Sequence, residues 1–246
     1  MIEQIFGRNP VMEALQNDNV LIERIYINQT LSGEFEKTIR QFAKEKDIVL
    51  TRVPEQKLKE LSKNKNHQGI IATIAPIQYQ DYTIVMETVK KLGKTPLVII
   101  LDNITDVRNI GAIGRSAHFF GVDMLILSGN STGSVNDLSI KTSSGALLHL
   151  PVCKAKNLFT VISDLQSMGL KVVSTSTNNP IPAYKCEMVE PTAIIFGSEG
   201  TGIHHKISDV VDENIQIPAI NEFDSLNVSV AAGIVLYEVQ KQRANV

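Results

Sequence analysis

The sequence contains no tryptophan, only two cysteines and no long uninterrupted apolar run among its 246 residues. Cys153 and Cys186 lie far apart in the chain, so they do not form a zinc cluster by themselves. Asp, Asn or Gly interrupts each long apolar segment before it reaches the roughly 18 residues that a membrane-spanning helix needs. These shortages exclude a disulfide-rich scaffold and a helical membrane protein, and they predict a reduced, cytoplasmic protein without a metal centre.

An excess of charge of one sign is also missing, because 24 Lys and Arg face 26 Asp and Glu and give a net charge of −2. This balance gives no global indication of a nucleic-acid partner, so an RNA-binding role has to rest on local patches. A signal peptide is not expected, since MIEQIFGRNP places an acid and an arginine where such a peptide needs its apolar core. The remaining composition is that of an ordinary globular protein.

The pattern of charge and hydropathy predicts two domains. Residues 1–76 are charge-dense and alternate short strands with helices, which predicts a small α/β domain. Residues 77–94 are a linker and a lead-in helix, and residues 95–246 are the second domain. In the first domain the predicted elements are a helix Val11–Leu15 with Asn9 as N-cap and Pro10 in the first helical position, strands Ile22–Ile27, Ile48–Val53 and Gly69–Ala75, and helices Glu34–Glu45 and Glu55–Ser62.

Continuous apolar runs in the second domain predict parallel strands that are buried on both faces. Because these strands alternate with helices, the expected fold is α/β, with a mostly parallel sheet covered by helices on both faces. The predicted strands are Leu97–Leu101, Met124–Ser128, Leu170–Ser174, Ala193–Phe196 and Ile215–Ile217, and the predicted helices are Thr83–Leu92 (the lead-in helix), Ile110–Phe120, Leu158–Met168 and Leu226–Arg243.

The first polar segment follows the strand that ends at Leu101. Ligands of open parallel sheets bind beyond the carboxyl ends of the strands, so polar side chains there are candidate functional groups. Asn109 and Arg115 need not share a helix face, and one interpretation is that Asn109 caps the helix while Arg115 is only solvated. Gly111 and Gly114 argue against this simple interpretation. Each glycine costs about 1 kcal/mol in a helix relative to alanine, so each should be present for packing or for ligand binding.

The second segment is the loop Gly-Ser-Glu-Gly-Thr-Gly at residues 197–202, between a strand and a short helix. Free backbone N–H groups at a helix start attract anions, but Glu199 in the middle of the loop would repel a phosphate. The order of the glycines also differs from the dinucleotide fingerprint, which disfavours a nicotinamide oxidoreductase. A neutral or cationic ligand fits this loop better, and the alternative is a flexible turn.

The third segment leads from Ile217 to the last helix. Asp224 or Ser225 is suited to cap this helix, which would place Asn227 in the exposed first turn. Capping and core packing account for the helix, but they leave the polar loop before it unexplained.

Together, the three segments resemble motifs 1, 2 and 3 of the SpoU (TrmH-like) branch of the SPOUT RNA methyltransferases. The matching residues are N-x-G-A-x-x-R at 109–115, F-G-x-E-G-x-G at 196–202, and I-P at 217–218 followed by S-L-N-V-S-V-A-A-G at 225–233. The stretches Phe6–Leu15 and His67–Ile70 are similar to the small RNA-binding domain of the RlmB-type enzymes, which methylate a guanosine ribose in large-subunit ribosomal RNA.

The resemblance implies a deep trefoil knot in the second domain and transfer of a methyl group from S-adenosylmethionine to the 2′-hydroxyl of an RNA ribose. By their places in the motifs, the catalytic residues would be Asn109, Arg115, Glu199, Ser225 and Asn227. The cofactor-binding residues would be Gly197, Gly202, Ile217 and Leu226, together with Thr175 after a strand of the sheet.

The family assigns proton removal to Arg115, but the chemistry of guanidinium favours another role. A guanidinium stays protonated at ordinary pH and is therefore a poor base. We expect Arg115 to bind the adjacent RNA phosphate and to stabilise the charge that develops on the 2′-oxygen, while Asn109 and Glu199 orient Arg115 or the ribose.

Residues 57–67 hold four Lys against one Glu. A charge run of this size is usually only a solvated face. Here it borders the His-Gln-Gly stretch of the RlmB-type resemblance, so we expect it to grip the RNA backbone. The predicted RNA-binding residues are Lys57, Lys59, Lys63, Lys65 and His67, with Arg108 in the second domain.

Ribosomal RNA is the predicted substrate because of the N-terminal domain, and methylation of transfer RNA, which shares the motifs, is the alternative. The complete set of motif residues disfavours a non-catalytic RNA-binding or ribosome-assembly factor. In the last helix, Val230, Ile234 and Tyr237 form an apolar stripe that by itself indicates core more often than an interface. Because the family forms homodimers, the resemblance favours a homodimer through this helix.

Overall fold

The computed structural model describes residues 4–17, 20–74, 77–128, 132–176, 178–198, 202–203, 205–221 and 225–244. The chain divides into two compact units, residues 1–78 and residues 79–246. Each unit has its own sheet and its own apolar core. Across the described ranges, no helix is long and apolar enough to cross a membrane.

The first unit is a four-stranded mixed sheet with three helices. In space its strands are ordered β1-β4-β2-β3; β2 and β3 are parallel, whereas β4 is antiparallel to β1 and to β2. The strands are β1 (Gln4–Phe6), β2 (Ile22–Asn28), β3 (Val49–Val53) and β4 (Ile70–Ile74), and the helices are α1 (Arg8–Gln16), α2 (Glu34–Glu45) and α3 (Glu55–Ser62).

The beginning of α1 differs from the prediction. The helix starts at Arg8, so Asn9 is not its N-cap and Pro10 is its third residue. The preceding Gly7 has a φ of 94°, a conformation that glycine adopts without steric cost. Pro10 is tolerated because the N–H groups of a first turn have no acceptor within the helix. Strand β1 is missing from the prediction because three residues are too few to show a strand period.

The second unit is built on a seven-stranded parallel sheet flanked by helices, which confirms the predicted α/β class. The spatial order of the strands is β7-β6-β5-β10-β8-β11-β9. The strands are β5 (Leu97–Asp102), β6 (Met124–Ser128), β7 (Val152–Ala155), β8 (Lys171–Thr175), β9 (Ile181–Pro182), β10 (Thr192–Gly197) and β11 (Glu213–Gln216). The helices are α4 (Tyr82–Lys91), α5 (Val107–Phe119), α6 (Asp137–Thr142), α7 (Leu158–Ser167), α8 (His205–Ser208) and α9 (Val228–Ala244).

Several boundaries in the second unit shift from the prediction. Helix α5 begins at Val107, three residues early, because Asp106 caps it. Ile217 lies just beyond β11 rather than in it, and α9 begins at Val228 instead of Leu226. Strands β7 and β9 and helix α6 were not predicted, because all three are short and none carries a long apolar run.

Helix α5 packs closely against α6 and against a 3₁₀ turn, Ala146–Leu148. A Cβ atom on Gly111 would lie 2.6 Å from the backbone oxygen of Ser139, and a Cβ atom on Gly114 would lie 2.5 Å from Cδ2 of Leu147. The two helical glycines therefore have a packing reason: they let α6 and the 3₁₀ turn approach the backbone of α5.

The last turn of α9 is tied to the loops that precede β5 and β10. The Arg243 guanidinium donates hydrogen bonds to four backbone oxygens, and burial lowers its pKa. Because all four acceptors lie at the amino-terminal edge of the sheet, Arg243 holds that edge together. The acceptors are the carbonyl oxygens of Thr95, Pro96, Met188 and Glu190.

Candidate active site

Four neighbouring strands of the second unit, β5, β10, β8 and β11, end at one edge of the sheet. Because they are parallel, their carboxyl ends meet there: Gly197 pairs with Asp102, and Thr175 pairs with Ile215. The first motif segment follows β5, the glycine loop follows β10 and the third segment follows β11. The fold therefore gathers three segments that are far apart in the sequence.

Helix α5 carries Asn109 and Arg115 away from the end of β5. Asp106, and not Asn109, caps the helix, since its carboxylate accepts a hydrogen bond from Arg108 N at 2.9 Å. Asn109 is half-buried in the first turn, and Arg115 is exposed further along the helix. Six residues rotate a helix by about 240°, so the two side chains leave α5 on different sides.

A bidentate ion pair with Asp106 holds Arg108 at the beginning of α5. Nε and Nη2 of Arg108 lie 3.2 and 3.0 Å from Oδ2 of Asp106. The hydrogen bonds of this pair lower the pKa of the Asp106 carboxyl and raise the pKa of the Arg108 guanidinium. Arg108 is thus a cation with a defined position, although both side chains remain in contact with solvent.

Two asparagines join the first turn of α5 to the start of α9. Asn227 Nδ2 donates to Asn109 Oδ1 at 3.1 Å, and Asn227 Oδ1 accepts from Ser229 N at 3.0 Å. Asn227 therefore caps α9, which corrects the prediction that Asp224 or Ser225 does so. Ser225 is exposed ahead of the helix, and Asp224 lies outside the described residues. The contact links the first and third motifs across 118 positions of sequence.

Gly202, the last residue of the glycine loop, lies beside Ser198 at the end of β10. Gly202 has a φ of 63°, and its N–H donates to Ser198 O at 2.9 Å. A Cβ atom on Gly197 would lie 2.5 Å from the backbone nitrogen of Ile203, so a side chain does not fit there. Glu199, the predicted catalytic residue of this loop, lies outside the described residues.

The other predicted cofactor residues lie at the same edge. Thr175 ends β8, and its hydroxyl donates to Ile195 O at 3.1 Å. Ile217 is half-buried directly after β11, and Leu226, just before α9, leaves 46% of its surface exposed. Backbone, hydroxyl and aliphatic groups suit a ligand that joins an adenosine to a sulfonium cation, because such a ligand needs hydrogen bonds and apolar walls and has no phosphate.

A mostly buried polar network beneath this edge was not predicted. Ser174 Oγ donates to Asn214 Oδ1 at 2.6 Å, and Asn214 Nδ2 donates to Ser208 O at 3.1 Å. The hydroxyls of Ser176 and Ser208 lie 2.9 Å apart. These bonds tie α8, which follows the glycine loop, to the ends of β8 and β11. The signal was present in the sequence, since the three consecutive hydroxyl residues Ser174, Thr175 and Ser176 follow the buried Val172 and Val173.

In the first unit, His67 holds the loop between α3 and β4. The residue is buried; its Nδ1 accepts from Gly69 N at 3.1 Å, and its Nε2 lies 3.4 Å from Glu55 Oε1. His67 therefore shapes the loop from inside rather than presenting its ring to solvent. The loop residues with positive φ are Lys63, Asn64, Gln68 and Gly69.

The four predicted RNA-binding lysines are all exposed, on α3 and on the loop that follows it. About 200° of helix rotation separates Lys57 from Lys59, so these two lie on opposite flanks of α3. Lys57 is paired with Glu60 at 3.1 Å, and Lys65 Nζ lies 5.3 Å from the centre of the Phe6 ring. The basic surface therefore lies on both flanks of α3 and is not a single stripe.

The edge of the second sheet can hold an organic ligand against backbone and apolar groups, with the Asn109–Asn227 pair at the starts of α5 and α9 and Arg115 further along α5. Such an edge is where open parallel sheets bind their ligands, and the exposed lysines of the separate first unit suit contact with an anionic partner. Among the described residues, no group of three or more His, Cys, Asp or Glu is placed to hold a metal ion.

Comparison with known proteins identifies the family. Residues 96–237 match the SpoU rRNA methylase family, and residues 4–80 match the RNA 2′-O ribose methyltransferase substrate-binding family. A protein of Staphylococcus haemolyticus that is named as a TrmH family tRNA/rRNA methyltransferase is 34% identical over 242 residues. The match covers 98% of this chain and 96% of that relative.

Two solved structures share the fold. The AdoMet-bound rRNA methyltransferase of Sinorhizobium meliloti matches with a TM-score of 0.60 at 20% identity, over 97% of this chain and 86% of that chain. The TrmH/SpoU tRNA modifying enzyme of A. aeolicus matches with a TM-score of 0.57 at 26% identity, over 66% of this chain and 85% of that chain.

The chain belongs to the SpoU methylase family. It is an RNA 2′-O-ribose methyltransferase of the TrmH/SpoU type that uses S-adenosylmethionine. The family and the cofactor that the three motifs predict are thereby confirmed.

Proposed function

We propose that this chain methylates the ribose 2′-hydroxyl of a guanosine in large-subunit ribosomal RNA. The observation that carries this proposal is the match of residues 4–80 to a substrate-binding family. The S. meliloti rRNA enzyme covers 97% of this chain, whereas the A. aeolicus tRNA enzyme covers 66%. The choice of guanosine follows from the resemblance of Phe6–Leu15 and His67–Ile70 to the RlmB-type enzymes.

Arg115 binds the RNA phosphate next to the target ribose and stabilises charge on the 2′-oxygen. Arg115 is exposed, and guanidinium groups in general are poor bases, which suits charge stabilisation and not proton removal. Arg115→Lys keeps the charge and should retain part of the methyl transfer. Complete loss of transfer in a folded variant that still binds RNA would contradict a role through charge alone.

Asn109, Asn227, Ser225 and Glu199 complete the substrate side of the site. Asn109 and Asn227 contact each other, so they act as one polar pair between α5 and α9. This pair holds the ribose so that its 2′-oxygen stands about 3–3.5 Å from the carbon that it attacks. Ser225 contacts the substrate from the exposed segment before α9, and Glu199 orients Arg115 or the ribose.

Gly197, Gly202, Thr175, Ile217 and Leu226 hold the cofactor. The tight loop at Gly197 and Gly202 offers backbone groups, Thr175 shapes the edge between β8 and β10, and the two aliphatic side chains form apolar walls. When bound, S-adenosylmethionine supplies the electrophilic methyl group that the 2′-oxygen attacks.

Lys57, Lys59, Lys63 and Lys65 grip the RNA backbone, and Arg108 adds a contact from the second unit. His67 contributes by holding the loop that carries Lys63 and Lys65. Each phosphate that a lysine neutralises steepens the salt dependence of single-stranded RNA binding by about 0.7 in log K against log salt.

Replacing lysines tests whether the proposed RNA-binding lysines contact the RNA backbone. Replacing Lys59 and Lys63 together with Gln should flatten the salt slope by about 1.4, measured by fluorescence anisotropy with the full chain. Lys37→Gln with Lys44→Gln removes the same charge from α2 of the same unit and should leave the slope as it is. Equal slopes for the two double variants would show that the predicted patch does not contact RNA.

The chain acts as a homodimer through α9 and works in the cytoplasm. Val230, Ile234 and Tyr237 are 50%, 42% and 62% exposed at helical spacing, so an apolar stripe lies on the surface of α9. Covering this stripe with a second copy removes apolar surface from water. Two free, buried cysteines agree with a reducing compartment.

The proposed substrate is tested with labelled S-adenosylmethionine and separated ribosomal and transfer RNA. We expect the label at one ribose of large-subunit ribosomal RNA, mapped as a bond that resists alkaline cleavage. Label in transfer RNA alone would overturn ribosomal RNA as the substrate but would leave 2′-O-ribose methylation as the reaction. No label in either RNA, with cofactor binding intact, would favour a non-catalytic RNA-binding role.

A further inference from the structure

The side-chain amide of Asn214 lies at the centre of the polar network beneath the carboxyl edge of the second sheet. Asn214 belongs to β11 and pairs in register with Ser174 of β8. Ser174 Oγ lies 2.6 Å from Asn214 Oδ1, and Asn214 Nδ2 lies 3.1 Å from the backbone oxygen of Ser208 in α8. Ser174 and Ser208 are 0% and 4% exposed, so water has little access to either residue.

Donor and acceptor chemistry sets the direction of both hydrogen bonds. A backbone carbonyl can only accept, so the Asn214 atom that faces Ser208 O is the NH₂ group. The other end of the amide is then its carbonyl oxygen, to which the Ser174 hydroxyl donates. A reversed amide would set two carbonyl oxygens against each other. One amide in one orientation therefore joins β11 to both β8 and α8.

The elements that this amide joins lead into the segments that the proposed function assigns to the cofactor. Thr175 directly follows Ser174 at the end of β8, and Ile217 follows β11. Helix α8 comes after the glycine loop in the chain. A movement of any of these elements relative to the others would therefore change the shape of the proposed cofactor site.

We propose that Asn214 is a positioning residue for S-adenosylmethionine, which holds β8, β11 and α8 in the arrangement that binds the cofactor. This inference rests on the cofactor residues of the proposed function and does not depend on which RNA is methylated. Asn214 acts through the elements that it joins and not through a contact of its own with the cofactor. A site that is held in its binding arrangement loses less conformational freedom when the ligand enters.

Asn214→Leu tests this role, because leucine keeps the branched shape of the side chain and removes both hydrogen bonds. We expect the Kd and the KM for S-adenosylmethionine to rise about tenfold, the effect of losing one to two net hydrogen bonds. The kcat at saturating cofactor and the KM for RNA should stay at their wild-type values. Such a split is the kinetic sign of binding that ground state and transition state share. Calorimetry gives the Kd, and steady-state methylation with the full chain gives kcat and KM.

Gln166→Leu is the matched control. Gln166 is half-buried like Asn214, and its Nε2 donates to Val210 O at 3.1 Å and to Asp212 Oδ1 at 3.2 Å. This amide joins α7 to the segment before β11 and contacts no residue that the proposed function assigns to the cofactor. Gln166→Leu should lower the melting temperature as Asn214→Leu does, but the Kd for S-adenosylmethionine should stay at its wild-type value.

A double-mutant cycle tests whether Ser174 and Asn214 act as one unit. Ser174→Ala removes the hydroxyl that donates to Asn214, so it should weaken cofactor binding by itself. Because it removes less than Asn214→Leu, it also serves as a second variant that folds more readily. The variant with both substitutions should bind the cofactor no more than about twofold more weakly than Asn214→Leu alone, since the two changes break the same connection.

Three results would overturn the inference. They are a Kd of Asn214→Leu or of Ser174→Ala within about twofold of wild type, an equal rise of the Kd in Gln166→Leu, and single losses that multiply fully in the double variant. The proposed cofactor site fails separately, when Gly197→Ala binds the cofactor as wild type does, because that substitution alters the glycine loop and neither hydrogen-bond partner of Asn214.

Discussion

Gly197 stands where one additional carbon atom would collide with backbone. A Cβ atom would lie 2.5 Å from Ile203 N, and a backbone atom of a closed loop cannot move aside as a flexible side chain can. Gly197→Ala should therefore displace the loop and weaken binding of S-adenosylmethionine about tenfold or more, which is about 1.4 kcal/mol measured by calorimetry.

Gly169, at the opposite edge of the sheet, provides a control for the backbone strain that replacing a glycine causes by itself. Gly169 has a φ of 88° but open space around a Cβ atom, so Gly169→Ala should cost about 1 kcal/mol of folding free energy and leave cofactor binding unchanged. If Gly197→Ala binds the cofactor as wild type does, the loop is not part of the cofactor site.

The sequence showed which single residues need an explanation, but it did not identify their partners. The sequence showed that Gly111 and Gly114 need a reason, but their partners Ser139 and Leu147 lie in elements that the sequence did not reveal. The cap of α9 was misplaced, and the interpretation that Asn109 caps α5 was wrong, because several Asp, Asn and Ser residues compete at each helix start. The contact of Asn109 with Asn227 depends on how α5 packs on α9, which neither segment indicates alone.

At the scale of elements, the contact of α5 with α6 places Asn109 and Arg115. Gly111→Ala should lower the free energy of unfolding by about 1–3 kcal/mol in urea, because Ser139 O belongs to the backbone. Gly114→Ala should cost less, since the Leu147 side chain can change rotamer.

Gly233→Ala in α9 is the control for this pair, because the nearest atom to its Cβ is Ser116 Oγ at 4.0 Å. It should be neutral or should stabilise the protein by about 0.5–1 kcal/mol. Equal stability of Gly111→Ala and Gly233→Ala would contradict close packing between α5 and α6.

The exposed stripe of α9 gives a second prediction at this scale. Ile234→Glu places a charge in the middle of the stripe, and burying that charge in a dimer would require its desolvation. We expect the variant to sediment as a monomer in analytical ultracentrifugation. Ile84→Glu changes a residue on α4 that is 64% exposed and should keep the oligomeric state of wild type. A wild-type monomer would refute the homodimer.

The elements that the sequence predicted are those with strong periodicity or continuous burial. Helices α2 and α3 and strand β6 match their predicted ends, because charged and apolar positions alternate clearly in the helices and all five residues of β6 are buried. Strand β7 contains the exposed Lys154, and β9 is two residues long, so neither gives a recognisable pattern. Their place in the sheet is set by neighbouring strands.

For the whole molecule, two buried thiols and one half-buried tyrosine hydroxyl make the free energy of unfolding fall at alkaline pH. Burial raises the pKa of Cys153 and of Cys186 to about 12. Burial and a hydrogen bond to Asp164 raise the pKa of Tyr82 to about 12. In the unfolded chain these pKa values are about 8.5 for Cys and 10 for Tyr, so the folded state keeps its protons longer. The stabilisation is complete below about pH 8.5 and is lost as pH rises toward 12.

Cys153→Ala should make this decline shallower by about 1.4 kcal/mol per pH unit between pH 9 and 11. The measurement is urea unfolding at a series of pH values, in which the slope and not the absolute stability is compared. Tyr82→Phe should reduce the slope only above about pH 10. A slope that neither substitution changes would show that these groups titrate alike in both states.

The hydrogen bonds of Arg243 have a consequence for synthesis on the ribosome. Its acceptors Thr95 and Pro96 precede it by 148 and 147 positions. These hydrogen bonds at the amino-terminal edge of the second sheet therefore cannot form until Arg243, near the end of α9, has been synthesised. The strands of the first unit are complete by Ile74. A nascent chain therefore completes the strands of its first unit early, whereas the bonds of the second unit to Arg243 form only after α9 has been synthesised.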